Sequence, residues 1–366
     1  MSPYCHITQC LTISALVLVI AGCMDDPQST ETRSRDVELS IDDSQLTALH
    51  VDERNRYVFV ADAQQEAVHF VGTDNFSLQD TVTVGGSPFA LDTSGDGDLL
   101  AAVSDDPPAV AIIDVNSRSV LGTVDMSGAT PTSIAFDKFN RLYIGVSNDD
   151  ETRAVLVYDI TGPPPWDELD GFLPTADGYI AGRSRDRTKL YASDEGNSVG
   201  VGTAVVSQWN LEASPPAEMN NASLFGGTSV GNGWVLSTTD DSRLLVYGQG
   251  VAGADGAAFD DGMLPVYASE SLGFIDKLDV EGCLPVAAAV TADDARIIVA
   301  HGGPAPNATR SCEAHSGDIH IYDAATFDRI AALQADDDVV PNGLAVGPDR
   351  IVYVLLTINR IGVYVR

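Results

Sequence analysis

Phe89-Ala-Leu-Asp-Thr93, Leu99-Leu-Ala-Ala-Val103, Val110-Ala-Ile-Ile-Asp-Val115 and Ser119-Val-Leu-Gly-Thr-Val124 follow one another as four apolar runs of four to six residues. Each is rich in β-branched or aliphatic side chains and is bounded by Gly, Pro, Asp, Asn or Ser, the composition of short antiparallel strands and their turns. The unit recurs along the chain. Its second strand begins near Tyr57, Leu99, Leu142, Leu190, Leu244, Ile297 and Ile351, at successive spacings of 42, 43, 48, 54, 53 and 54 residues. Seven units of that period predict an all-β chain, a seven-bladed β-propeller with one four-stranded blade per repeat. Strands within a blade are lettered a to d from the channel outwards.

The last unit stops short. After Leu344-Ala-Val, Ile351-Val-Tyr-Val-Leu-Leu and Ile361-Gly-Val-Tyr-Val no strand d remains before Arg366, whereas Asp36-Val-Glu-Leu-Ser-Ile alternates like a strand without a unit of its own. Residues 36–41 are therefore expected to complete blade 7 and remove two open sheet edges.

Ala111-Ile-Ile-Asp114, Ser119 to Val124 and Pro131-Thr-Ser-Ile-Ala-Phe-Asp137 resemble the YVTN family of seven-bladed propellers, as do His320-Ile-Tyr-Asp323 and Pro341-Asn-Gly-Leu-Ala-Val-Gly-Pro-Asp349. The resemblance runs from about residue 44 to the end, loosely in blades 4 and 5, where there are insertions. It implies the fold and an extracytoplasmic setting, with no single activity.

Leu11 to Gly22 is apolar, too short to cross a bilayer, and ends in small residues, so residues 1–22 are expected to be a signal peptide. Ile20-Ala-Gly-Cys23 resembles a bacterial lipoprotein box, which implies a lipid on Cys23, although residues 1–10 lack the Lys or Arg usual at such a start. The other reading makes Cys23 an ordinary residue near a cleavage site. Residues 23–35 are then a polar tether and 36–366 the propeller, in the cell envelope and held at the outer membrane through lipid.

Fifty-three acidic against 20 basic residues give a net charge of −33, which repels nucleic acid and anionic lipid surfaces. A soluble, monomeric, exported fold accounts for that surface. With Cys5 and Cys10 in the signal and Cys23 lipidated, Cys283 and Cys312 remain as an even pair. In an exported chain they are expected to form a disulfide; the alternative joins both thiols with His301 and His315 at a metal.

The a→b turns are short, whereas b→c loops lengthen at residues 194–202, 249–263 and 302–316, so function is expected on the b→c face near blades 4 to 6. Acidic and amide residues recur where strand b ends: Asp62, Asp105, Asn148, Asp194 and Asn359, with Glu195 and Asn197 adjacent. Such a ring could hold a divalent cation such as calcium at the channel mouth, as in lactonase-type propellers, or could simply cap loops. Asp92, Ser94 and Asp96 resemble half a calcium loop, but Val103 stands where its bidentate Glu belongs, and the short a→b hairpin turn with which they align is the preferred reading. Gly196-Asn-Ser-Val-Gly200 and Gly227-Thr-Ser-Val-Gly231 fall between β-strands, outside the strand-to-helix turn that makes such a serine nucleophilic. The leading expectation is a non-catalytic module binding a protein or small ligand on the b→c face. A metal-dependent lactonase-like hydrolase comes second, and a purely structural envelope component third.

Overall fold

The computed structural model describes residues 33–37 and most of 44–365; residues 1–32, 38–43, 53, 149–152, 170–172, 174–177, 194–203, 226–232, 249–262, 281–282, 305–316, 336, 358–359 and 366 are not described. Among the described residues there is no helix, and all strands belong to seven antiparallel sheets. An N-terminal strand, β1 (Arg33–Val37), precedes blade 1, which is β2 (Leu46–Val51), β3 (Tyr57–Asp62), β4 (Ala67–Gly72) and β5 (Leu78–Thr83). Blade 2 is β6 (Pro88–Thr93), β7 (Leu99–Asp105), β8 (Pro108–Asp114) and β9 (Ser119–Asp125), and blade 3 is β10 (Ala129–Phe136), β11 (Arg141–Asn148) and β12 (Arg153–Asp159). Blade 4 is β13 (Tyr179–Arg183), β14 (Lys189–Ser193), β15 (Ala204–Asn210) and β16 (Ala217–Phe225). Blade 5 is β17 (Gly233–Ser237), β18 (Arg243–Gly248), β19 (Met263–Ala268) and β20 (Phe274–Asp279). Blade 6 is β21 (Cys283–Val290), β22 (Arg296–Pro304), β23 (Asp318–Asp323) and β24 (Arg329–Gln334). Blade 7 is β25 (Val339–Val346), β26 (Val352–Leu356) and β27 (Arg360–Val365), with β1 as its outer strand.

The innermost strands touch in cyclic order, β2, β6, β10, β13, β17, β21, β25 and back to β2, which closes the ring. Crowding around the axis favours small side chains, and six of the seven carry alanine, for example Ala48, Ala90, Ala135, Ala181, Ala288 and Ala345. Gly182 marks the tightest approach: a Cβ there would lie 2.1 Å from the Val235 carbonyl oxygen of blade 5. The core is divided into seven apolar layers, each between two successive blades. Phe59, Val68 and Phe70 meet Leu100, Ala102 and Ile113 between blades 1 and 2, and Leu49, Val58 and Val60 meet Tyr353, Leu355 and Val363 between blades 1 and 7.

The a→b turns are uniform. Each holds one residue in the left-handed region: Asn55, Gly97, Asn140, Arg187, Asp241, Asp294 or Arg350. In blades 1 and 3 a buried carboxylate organises the turn. Asp52 accepts from the Arg54 and Arg56 amides, and Asp137 from those of Phe139 and Arg141, each also pairing with the arginine guanidinium. In blades 2, 4, 5 and 6 a hydroxyl takes that place, donating to an aspartate two residues on: Ser94 to Asp96, Ser184 to Asp186, Thr238 to Asp240 and Thr291 to Asp293, at 2.6–2.7 Å.

Two details depart from the simplest repeat. Among the described residues blade 3 is a three-stranded sheet, and the following chain meets β12 through isolated bridges, Val155 to Leu173 and Tyr158 to Glu168. Pro163, Pro164 and Pro165 have no N–H to donate to a ladder, and this segment instead lies against blade 2, where Gly122 leaves room for Pro164 and Trp166. At the ends of the chain, the strand paired with β27 begins at Arg33 and shares Asp36 and Val37 with the expected segment; residues 38–41 lie outside the described residues. Its register runs from Arg33 opposite Val365 to Val37 opposite Ile361. Deleting Arg33–Val37 should expose the β27 edge and lower the melting temperature by roughly 5 °C or more; an unchanged melt would show that β1 adds nothing to the ring.

Candidate functional site

The inner strands surround a cavity of about 340 Å³. Strand a runs from the d→a connection to the a→b turn, so the first residues of each inner strand form the b→c mouth. There Phe89, Tyr179 and Trp234 supply aromatic wall, and Thr47, Thr132, Ser133 and Asn342 supply polar groups. The mouth is fixed by bonds between blades. Thr47 Oγ1 donates to the Pro88 carbonyl and Thr132 Oγ1 to that of Gly178, both at 2.6 Å, and the Ile180 amide donates to Ser133 Oγ at 2.7 Å. Trp234 stacks on Tyr247 with centroids 5.5 Å apart, and the Tyr247 hydroxyl donates to Asn342 Oδ1 across the ring at 2.7 Å.

The other end of the channel is ionic. Asp92, at the end of β6, accepts from Arg183 Nη2 at 2.9 Å, from Arg183 Nε at 3.3 Å and from the Phe136 amide at 2.7 Å. Arg187 Nη1 lies 3.8 Å from its second oxygen, and His50 Nε2 lies 3.8 Å from its first while contacting Thr93 Oγ1 at 3.0 Å. One carboxylate thus ties blades 1, 2, 3 and 4 together. Burial alone would raise its pKa, but the charges of Arg183, Arg187 and His50 and the Arg183 hydrogen bond outweigh it and hold the group well below the usual carboxylate range. Removing one member of such a buried cluster typically costs about 3–5 kcal/mol, since the others lose their counter-charge.

The residues singled out in the sequence have separate fates. Asp62 is fully buried at the end of β3; its Oδ1 accepts from the amides of Gln45, Gln64 and Gln65, and its Oδ2 contacts His69 Nε2 at 3.1 Å. Both oxygens serve a turn and a buried histidine. Asp105 is exposed at the end of β7, and the Asn148 backbone closes β11 opposite Ala129. The Asn148 side chain lies outside the described residues, as do Cys23, Asp194, Glu195, Asn197, Cys312, His315, Asn359 and both Gly-x-Ser-x-Gly stretches. Of Cys283 only the backbone is described, opposite Pro304. Asp92, Ser94 and Asp96 do not converge on one point. Asp92 turns to Arg183, while Ser94 and Asp96 bond to each other within a turn that three other blades repeat. Among the described residues, no three His, Cys, Asp or Glu side chains come together as metal ligands.

Sequence reading missed the ionic end of the channel, although a signal was present. Arg183, Arg185 and Arg187 fall within five positions of a chain with only 20 basic residues.

His301, in β22, is fully buried with its ring 4.4 Å from that of His320, and neither ring nitrogen has a hydrogen-bond partner among the described residues. Burial, with the charges of His320 and Arg329, pulls its pKa down to about 3. An unfolded histidine titrates near 6.5, so this neutral ring favours the fold above about pH 6.5 and that contribution is lost as pH falls towards 3. His301→Leu should therefore flatten the acid limb of the melting-temperature profile; an unchanged slope between pH 6.5 and about 4 would assign acid lability elsewhere.

Fold and channel together define a seven-bladed β-propeller. No family model matches the chain, and no curated protein matches it in sequence. Among solved structures it is similar to the β-propeller domain of Cps50 (Swd1) from Myceliophteria thermophila, at 12% identity and a TM-score of 0.65, over 90% of this chain and 99% of that one. At that identity the likeness shows the fold alone.

Proposed function

We propose that this propeller is an exported, lipid-anchored binding module, related to the YVTN-type propellers, whose ligand enters the channel at the b→c mouth. The observation that carries the reading is the cavity of about 340 Å³, with Trp234, Tyr179 and Phe89 on its wall and Thr47, Thr132 and Asn342 at its rim. Apolar walls with a few fixed polar groups are the usual make-up of a ligand site. The ligand is either a small molecule or an inserted segment of a partner protein, the use to which propeller scaffolds are commonly put. Long b→c loops in the sequence, the apolar leader and Ile20-Ala-Gly-Cys23 support the same reading, which also has Cys283 and Cys312 oxidised to each other in the exported protein.

A ligand found by screening for changes in tryptophan fluorescence should bind Trp234→Ala about 30-fold more weakly than the parent, the loss of roughly 2 kcal/mol expected for an aromatic anchor. Equal binding by that variant would place the ligand elsewhere. A divalent ion retained through dialysis, together with lactone turnover lost in Asp194→Ala, would replace the binding reading with the hydrolytic one.

Anchoring is tested separately. Cys23→Ser should move the protein from the membrane fraction to the soluble fraction, whereas continued sedimentation with membranes would rule out a lipid on that residue.

A further inference from the structure

At the a→b mouth, opposite the aromatic cavity, a second cavity of about 200 Å³ is lined by Arg183, Arg185 and His50 with Ser237, Val290 and Val346, from the inner strands of blades 5, 6 and 7. Arg183, Arg185 and His50 share this wall with one acidic residue, Asp52, in a molecule whose net charge is −33. Arg183 closes β13, and Arg185 and Arg187 follow at alternate positions of the turn. Arg187 is buried and donates to the Thr93 carbonyl at 2.5 Å and to that of Phe136 at 3.4 Å. Arg183 and Arg187 share one carboxylate, that of Asp92.

Arg185 is half-buried on the cavity wall and makes no ion pair among the described residues. Among the described residues, the acid on the cavity wall and the acid next to Arg185 in the chain are committed elsewhere. Asp52, which also lines the cavity, is fully buried and holds the Arg54 and Arg56 amides and the Arg56 guanidinium. Asp186 accepts from Ser184 Oγ, the Thr188 amide and Thr188 Oγ1. Arg185 thus brings to the cavity wall a guanidinium that makes no ion pair among the described residues.

We propose that the a→b mouth binds a small oxyanion, a carboxylate or phosphate, gripped by Arg185 with Arg183 beside it. The planar guanidinium fork matches two oxygens of such an anion, and charge-assisted bonds of this type are about twice as strong as neutral ones. Leu236, Val290, Ala345 and Val346 form the apolar part of the wall, where reduced water access strengthens the attraction. The volume sets the size of the ligand: it falls below the roughly 300–1,000 Å³ of pockets for drug-sized molecules. This site is independent of ligand capture at the b→c mouth and stands or falls by its own test.

Calorimetric titration of the whole protein with inorganic phosphate and, separately, with citrate, at constant ionic strength, should show saturable binding of at least one anion. The tighter of the two identifies phosphate or carboxylate chemistry. Arg185→Ala should weaken binding at least about tenfold, roughly 1.4 kcal/mol, and Arg185→Lys, which keeps charge but loses the fork, should weaken it less. Arg54→Ala, which removes an exposed partner of Asp98 on the same face, should bind like the parent. Melting temperatures of the variants report folding, and if Arg185→Ala is unfolded the Lys variant carries the comparison. The proposal is overturned by no saturable binding of either anion at millimolar concentration, by parental affinity in the folded Arg185 variants, or by an equal loss in Arg54→Ala.

Discussion

Seven strands have to share one axis, and most of the structure follows from the closeness this imposes. Alanine on six inner strands and Gly182 against the Val235 carbonyl let neighbouring backbones approach there. The space between blades widens outwards, which is why Phe59, Phe70, Tyr143, Tyr191, Tyr267, Tyr322 and Tyr353 are all fully buried on second and third strands. No layer of the core is complete within a single blade, so each sheet depends on both neighbours. Burying one such side chain contributes about 1.5–3 kcal/mol, and this apolar surface is sandwiched between blades rather than gathered at a centre.

That arrangement leaves the axis itself underpacked, and the chain finishes its two ends differently. Near the b→c mouth, hydroxyls bond from blade to blade and leave aromatic wall exposed to the cavity. Near the a→b mouth, Asp92 and the arginines of blade 4 fill part of the opening with charge. The seven left-handed turn residues and their side-chain caps make the a→b rim the regular one. Regularity of this kind holds Arg185 in place on a turn whose geometry is set by Ser184 and Asp186.

Much of the fold was legible because strand period, turn residues and repeat length are local signals. The seven units and the short a→b turns rest on patterns within a few residues. The rule of four strands per repeat meets an exception in blade 3, whose described sheet has three strands and is followed by Pro163-Pro164-Pro165. Candidate sites were less legible. Asp62 carries the same residue type at the same position whether it binds a cation or caps a turn, and only the placement of His69 and three backbone amides separates those roles. The partnership of Asp92 with Arg183 spans 91 residues of sequence, and no local pattern announces it.

The direction of β1 carries a consequence for how the molecule is presented. Arg33 lies opposite Val365, the end of β27, so the chain enters the propeller at the rim of the a→b side. In the lipid-anchored form proposed above, ten residue steps separate Cys23 from that entry point, a leash of at most about 36 Å when fully drawn out. Whatever is joined to the propeller through Arg33 is therefore joined at the side of its arginine-lined opening, and the aromatic opening lies at the other end of the channel.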